Sequence, residues 1–453
     1  MEPIKLHPEN GHYFLFRGAP TALITSAEHY GAVLNADFDY IVYLNELQDR
    51  ALNKTRIFSG EYIERADDIP SVGAVNTLVP ASDRFLAPWD RSATPGFARG
   101  GNKFDLDTWD ERYFDRLTDF VEQASLRGII VEVCLFCCKY KISQWQDSPM
   151  MSSNNINGVG DVPVSQALTT DNGNLLAYQE SLVRKIVTGL AEFDNVYYEI
   201  VNEPYHPYGA TDEFQDRIAA VIADTEASFP HKHLIARNIE NFWKKVSNPN
   251  PLVSIFNFHY AYPPDAVAMN FGLNKVIAYD ETGFQGAADQ PYRTGAWDFI
   301  IAGGAVFDHL DFSFALSHED GTFVVPSETP GGGGPAFRSQ MSILSRFING
   351  FDFVHMIPNN SVIAEGLPDG TTARALVESG KQYGIYVNGG IGKPLSLSVE
   401  LPAGSYTVQW VDTKTGVIET AETIIHSGGI RTLVSPIYTE DIALSVKQLQ
   451  TKG

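Results

Sequence analysis

From Thr21 onward, short apolar runs alternate with stretches whose apolar positions recur at helical spacing, the pattern of βα units that pack helices on a parallel sheet. Eight runs predict strands, at 21–25, 54–58, 129–136, 196–201, 233–236, 252–258, 275–278 and 304–310. Between them the periodicity predicts helices. Asp37 is placed to cap one that carries Tyr40, Val42, Tyr43, Leu44 and Leu47. The clearest spans 107–127, where Tyr113, Phe114, Leu117, Phe120, Val121 and Ala124 share a face and Gly128 supplies the stop. Others are expected at 175–192, 213–227, 292–302 and 336–348. Eight strands with interleaved helices in this length predict an α/β chain built on a (β/α)8 TIM barrel.

The segment 12–19, with a turn near Gly18, reads as a hairpin at the barrel floor. Two long stretches, 60–103 and 139–172, break the rhythm, and the first is expected to form a wall of the active site. After Phe351 the pattern becomes short, alternating and β-branched, at 373–378, 382–387, 395–401, 405–411, 417–425 and 432–434. Such spacing predicts a small antiparallel β-sandwich. The expected domains are therefore a hairpin over 1–20, a catalytic barrel over 21–351 and an accessory sandwich over 352–453.

Charge narrows the partners. With 33 basic against 55 acidic side chains the net charge is −22, which disfavours nucleic acid and anionic membrane surfaces, whose phosphates demand many Lys and Arg contacts. At 44% hydrophobic and 19% charged residues the composition is that of a folded domain. No apolar run reaches membrane-spanning length. Met1–Asn10 lacks the basic-then-apolar pattern of a signal peptide, which leaves a cytoplasmic protein or one whose signal has been removed. Cys134, Cys137 and Cys138 fall within or beside one apolar strand and read as small buried hydrophobes. No zinc-type spacing, phosphate loop or nucleotide fingerprint occurs, so neither metal nor cofactor is expected.

Barrel chemistry sits where strands end, and two ends carry a carboxylate in a suggestive setting. The fourth strand runs out through Asn202-Glu203-Pro204, and the seventh through Asp280-Glu281-Thr282-Gly283. Strands four and seven face each other across the mouth, so Glu203 and Glu281 can converge on one bound group. Paired carboxylates about 5 Å apart serve retaining glycoside hydrolysis, in which one protonates the leaving oxygen and the other attacks the anomeric carbon. That division of labour calls for unequal pKa values, with the acid raised by burial and by its like-charged neighbour. Asp280 is the alternative nucleophile, and Glu199 reads as a structural carboxylate deeper in the barrel. His29 and Tyr30, after the first strand, could line the same mouth. Trp89, Trp145, Tyr205, Tyr208, Phe284 and Phe312 fall on inferred top-side loops, where aromatic faces suit sugar C–H faces. Asp308, Asp311, Glu319 and Asp320 form an acidic stretch from which a hydroxyl-binding group could come.

These residues resemble the retaining glycoside hydrolases of clan A, most closely the cellulase-like barrels of family 5. The resemblance implies Glu203 as acid/base and Glu281 as nucleophile. It further implies Asn202 on the sugar 2-hydroxyl, Arg56 holding the nucleophile ionised and His259 as the active-site histidine. It also points to an oligosaccharide or polysaccharide substrate and an extracytoplasmic location. In two places the chain departs from the family. Ala261 stands where a tyrosine is common, so Tyr260 or Tyr262 would supply the hydroxyl. Asp311-Phe312-Ser313-Phe314 stands where a tryptophan commonly floors the sugar site. The expected activity is hydrolysis of a β-linked, mainly neutral glycan, with transglycosylation or non-catalytic carbohydrate binding as alternatives.

Overall fold

The computed structural model describes residues 2–66, 78–327 and 329–449. Eight parallel strands form the central sheet: Leu23–Ile24, Lys54–Phe58, Ile130–Cys137, Val196–Asn202, Ile235–Asn241, Ile255–His259, Val276–Glu281 and Val306–Phe307. Each pairs with its neighbour in chain order from the second to the eighth, and the eighth pairs with the first. The remaining seam, between strands one and two, is bridged by a side chain. The Asn53 amide donates to Ala22 O at 2.8 Å while its Oδ1 accepts the Ile24 N–H at 2.9 Å, imitating one rung of a ladder. This is the TIM barrel expected from the strand count.

Helices cover the outside at Tyr40–Asp49, Glu111–Leu126, Leu175–Gly189, Asp212–Thr225, Asp289–Ile301 and Pro335–Asn349. In Glu111–Leu126 the buried side chains are the six that the periodicity singles out. Two helix starts differ from the sequence expectation. Asp39, not Asp37, caps Tyr40–Asp49, accepting the N–H groups of Ile41 and Val42, while Asp37 pairs with Arg84 on the surface. The helix expected from 107 begins at Glu111, because Asn102–Trp109 is a strand paired with Trp89–Pro95, and Asp110 caps the helix after it. That hairpin occupies the later part of the long 60–103 insertion, of which 67–77 lies outside the described residues.

At the foot of the barrel, Lys5–Leu6, Phe14–Phe16 and Ala19–Thr21 make a small sheet with a two-residue turn at Arg17-Gly18. It is tied to residues that precede barrel strands. Arg17 donates to Asp194 at 2.7 and 2.8 Å, and the Gly11 N–H donates to Asn274.

The C-terminal region is a separate antiparallel sheet whose own core gathers around Trp410, Ile385 and Leu444. Two pairs of expected strands are single long ones, Ser396–Val411 and Ile418–Val434, because the hairpin continues through Pro402-Ala403-Gly404, with Leu401 opposite Gly429, Ala403 opposite Ser427 and Gly404 opposite His426. Tyr438–Gln448, not expected from the sequence, lies between Gln382–Lys393 and Ser396–Val411. This domain packs on the Asp289–Ile301 helix. Trp297 stacks on Tyr386 at 5.6 Å, and the buried Arg293 donates to both oxygens of Asp441. No helix among the described residues is long and apolar enough to cross a membrane.

Asp441→Ala leaves the buried Arg293 guanidinium only Gln340 and the half-exposed Glu440 as partners, so it should destabilise the protein by about 1–3 kcal/mol in urea unfolding. Pairing it with Arg293→Leu should recover most of that loss; an equal loss in the double variant would show that the pair matters for packing alone.

Candidate active site

Alternation along each strand decides what enters the barrel. Lys54, Arg56 and Phe58 share the inner face of strand two. Glu132 on strand three, Glu199 on strand four, Asn257 and His259 on strand six and Asp280 on strand seven join them, with Asp308 just past strand eight. From Lys54 to Asp308 all of these except Phe58 are fully buried. Lys54 Nζ lies 2.8 Å from both Glu132 Oε2 and Asp308 Oδ2. Arg56 reaches upward: Nε donates to Glu199 at 3.0 Å, Nη1 to Glu281 at 3.1 Å and Nη2 to Asn202 Oδ1 at 2.7 Å.

Above this layer opens a cavity of about 820 Å³ at the C-terminal ends of the strands. Glu203 and Glu281 line it together. His259 Nδ1 sits between them, 3.1 Å from Glu203 Oε1 and 3.5 Å from Glu281 Oε1, and the three ligand-type atoms lie within 4.8 Å of one another. A bulge re-aims strand seven here: opposite strand six the register shifts so that His259 faces Glu281. Asp280 then stays below, 3.6 Å from His259 Nε2, while Glu281 turns to the cavity. Three non-glycine residues at the mouth adopt left-handed backbone, Glu203 (φ 49°), Tyr260 (φ 50°) and Phe242 (φ 65°). Such conformations cost about 1–3 kcal/mol each and persist where the surroundings over-determine them.

The charge states follow from the contacts. For Glu281, burial pushes the carboxyl up, but the His259 charge and hydrogen bond and the Arg56 charge outweigh it and hold the group below its ordinary value. Tyr260 Oη donates to its Oε1 at 2.9 Å. Asp280 is the reverse: burial and the charge of Glu132 drive it well above the usual carboxylate range, and neither of its oxygens has a hydrogen-bond donor among the described residues. Burial would lower His259, yet the charge of Glu281 and the hydrogen bonds to Glu203 and Glu281 hold it well above its ordinary value. Glu203 departs from the sequence expectation. Burial would raise it, yet hydrogen bonds from His206, His259 and Tyr140, with the His259 charge, hold it well below the ordinary value. Burial and the like-charged neighbour, the two influences behind the expectation of a raised acid, are outweighed by the donors around Glu203, which reverse the sign.

Of the residues singled out in the sequence, Asn202, Glu203, Tyr260, Glu281, His29, Tyr30, Phe284 and Phe312 line the cavity. Arg56 and His259 do not: they lie beneath the carboxylates, sealed from the cavity, so they act on Glu281 and Glu203 and not on a ligand. Tyr262 is ruled out as the hydroxyl donor, because its Oη points away and accepts from Asn388 of the C-terminal domain at 2.8 Å. Trp89 is ruled out as a sugar platform, since it is buried in its hairpin against Trp109 at 6.3 Å. Trp145 is buried as well, donating to Val162 O. Asp308 is consumed by Lys54. Asp311 does reach the cavity, but Ser26, Ser313, Gly334 N and Arg338 already donate to its oxygens. The Gly331–Gly334 run is needed here: Gly333 has φ 114°, and a Cβ on it would lie 2.1 Å from Asp311 Oδ1.

Several site residues escaped the sequence reading. Tyr140, after strand three, donates to Glu203 Oε2 and accepts from Asn202 Nδ2 at 2.9 Å. Tyr205, marked in the sequence only as an aromatic on a top-side loop, lies 3.1 Å from Glu203 Oε1 and also reaches Asn241 Oδ1. His206 stands 3.4 Å from Glu203 Oε2. Glu28, pushed up to about 7 by burial, accepts backbone N–H groups of Tyr30, Gly31 and Ala32 on the cavity wall. Cys137 also faces the cavity, and Asn202 Nδ2 lies 3.4 Å from its sulfur. Only His206, three residues past Glu203 in one turn, had a signal in spacing.

Two clusters have metal-ligand spacing among the described residues, Glu199/His259/Asp280 and Glu203/His259/Glu281. Both depend on His259, whose ring nitrogens bind a metal only as the neutral imidazole, so metal and proton compete for the same atoms.

No protein-family model and no curated protein matches the chain in sequence. Solved structures do match in three dimensions. A glycoside hydrolase, 14% identical, aligns over 99% of this chain and 97% of its own with a TM-score of 0.63. A family 5 glycoside hydrolase from Bacteroides vulgatus ATCC 8482, also 14% identical, aligns over 98% and 92% with a TM-score of 0.63. The fold is that of these glycoside hydrolases. The match spans both the barrel and the C-terminal sheet domain, so the two-domain arrangement is shared as well as the barrel.

The network beneath the site should give an acid limit to stability. Burial raises Glu132 and Asp308, but the Lys54 charge outweighs it and holds both below the usual carboxylate value. Their contribution is therefore present above about pH 4 and lost as pH falls through the folded pKa values. Urea unfolding between pH 6 and pH 3 should show this decline. Lys54→Met should lower stability at pH 6 and flatten the decline; an unchanged slope would mean that other groups set it.

Proposed function

We propose that the protein is a retaining glycoside hydrolase acting on β-linked, mainly neutral glycans, with Glu281 as nucleophile and Glu203 as acid/base. The observation that carries the reading is the approach of the two carboxylates within 4.8 Å through His259 at the mouth of the barrel. Retaining enzymes place their carboxyl groups about 5–5.5 Å apart, whereas inverting ones leave about 6.5–9.5 Å for a water. The shared fold supports the same class.

In the first step Glu281 attacks the anomeric carbon and its electron pair forms the new C–O bond. The bond to the leaving oxygen breaks as that oxygen takes a proton from Glu203. In the second, Glu203 removes a proton from water, the oxygen attacks the same carbon and Glu281 departs as a carboxylate. Arg56 and Tyr260 keep Glu281 ionised and aimed, while Asp280 beneath it is neutral and a poor nucleophile. Asn202, gripped by Arg56 and Tyr140, presents its side chain to the ligand beside Glu203. A cavity of this size, walled by Phe58, Tyr62, Phe284 and Phe312, suits the apolar faces of sugar rings. The net charge of −22 disfavours polyanionic glycans. A purely binding protein has no use for two converging acids over a buried cation.

Glu203→Ala should lose at least about 100-fold in kcat/KM on substrates with poor leaving groups. Azide should restore its turnover of activated aryl glycosides, giving a glycosyl azide of retained configuration. Glu281→Ala with azide should give the inverted azide. Wild-type activity in both single variants would contradict this assignment. NMR of the first-formed product across an oligosaccharide panel separates hydrolysis from transfer.

A further inference from the structure

Glu203 is unusually well supplied with donors for a group that must itself donate a proton. Tyr205 Oη and His259 Nδ1 both lie 3.1 Å from Oε1. Tyr140 Oη and His206 Nε2 approach Oε2, the latter at 3.4 Å. Tyr140, Tyr205 and His259 have hydrogen-bonding geometry toward the carboxylate, the one hydroxyl hydrogen of Tyr205 being shared with Asn241 Oδ1, and His206 stands as an ion-pair contact; together they hold Glu203 well below the ordinary carboxylate value against its burial. A proton for the leaving oxygen can reach Glu203 from a neighbouring donor, and four stand around it.

Their settings separate them. Tyr140 and Tyr205 are phenols whose pKa values are driven up by burial and by the charge of nearby acids, so they keep their protons. His259 is fully buried beneath the pair and has no path to solvent. His206 alone combines an imidazole with access: it lines the cavity and its side chain is 34% exposed. The chain holds it there. The His206 N–H donates to Glu203 O at 3.2 Å, and its own carbonyl accepts from Gly209 at 2.8 Å. A Cβ on Gly209 would fall 1.9 Å from Pro204 O, so this tight turn requires glycine. Its ring rests against Tyr140 at 4.9 Å and Tyr205 at 5.5 Å.

We infer that His206 is a positioning residue that stores the acid's proton and hands it to Glu203 Oε2. The inference rests on the assignment of Glu203 as acid/base. As substrate displaces the other donors, the N–H bond of the imidazolium breaks and an O–H bond forms on Glu203. The electron pair stays on nitrogen, so an imidazolium and a carboxylate become an imidazole and a carboxylic acid. Glu203 passes that proton to the leaving oxygen, later takes one from the attacking water and returns it to His206, so the cycle leaves the pair as it began. The titratable groups that face His206 are Glu203 and Tyr205 on its own turn, Tyr140 after strand three, His259 on strand six and Glu281 on strand seven. The hydrogen bond to Glu203 is the main influence that raises its basicity, and burial opposes it.

The test is the pH dependence of kcat/KM for His206→Gln and His206→Asn on two substrates of one glycone. One carries a sugar leaving group that needs protonation; the other carries 2,4-dinitrophenolate, which does not. Without His206 the transferable proton resides on Glu203 alone, which its other donors keep acidic. The basic limb on the sugar substrate should therefore move down by about one pH unit or more. At pH 7 the loss on that substrate should exceed the loss on the dinitrophenyl glycoside by at least about tenfold. A basic limb that stays in place, or equal losses on both substrates, would overturn the proposal and leave His206 a structural neighbour. Glu203→Ala is the control for the underlying assignment: if its own loss were independent of leaving group, Glu203 would not be the acid and both readings would fall.

Discussion

Arg56 and Lys54 carry two positive charges into a space that water does not reach, and the carboxylates of the barrel are arranged around them. Removing an ion from water costs several kcal/mol even after relaxation, so an unpaired acid in this layer would simply take up a proton. Lys54 offsets that cost for Glu132 and Asp308, and Arg56 does so for Glu199 and Glu281. Asp280, further from both cations at 3.8 Å from Arg56 Nε, is the one that stays neutral. A barrel interior is ordinarily filled with layers of branched apolar side chains. Here its upper layers are ionic, and those charges fix which acids above them are ionised.

The cavity inherits this arrangement. The bulge between strands six and seven decides that Glu281 and not Asp280 faces the ligand, and Arg56 with Tyr260 decides its charge. His259 links the two catalytic candidates from below, so neither carboxylate titrates independently of the other. Above them the loops supply the Tyr140 and Tyr205 hydroxyls, the His206 imidazole and the aromatic walls that shape the cavity. The C-terminal domain stands apart from the chemistry. It grips the Asp289–Ile301 helix, which joins strands seven and eight, through Trp297 and Arg293.

What could be read from the sequence was what periodicity encodes. The apolar runs marked every barrel strand, and the Glu111–Leu126 face was complete down to its individual side chains. The strand exits located Glu203 and Glu281. Three kinds of information were not legible. Hairpins inside long insertions, such as Trp89–Pro95 with Asn102–Trp109, have no flanking rhythm to announce them, and this misled the placing of Trp89. Strand ends hide the direction of the next side chain, so Tyr260 and Tyr262 could not be separated until the left-handed backbone at Tyr260 turned its hydroxyl to Glu281. Contacts between distant loops, such as Tyr140 on Glu203, leave no spacing at all. They also explain why the expected rise in the Glu203 pKa is replaced by a fall: His206, His259 and Tyr140, which lower it, come from three separate places in the chain.

The central claim is that buried cations assign the nucleophile, leaving Glu281 ionised and Asp280 neutral. The most direct measurement is to trap the covalent intermediate with an activated 2-deoxy-2-fluoro glycoside of a cleaved glycone and locate the label by peptide mass spectrometry. The account predicts one sugar per chain, attached to Glu281. A label on Asp280, or steady turnover of natural substrate with inversion and no trapped adduct, would contradict it.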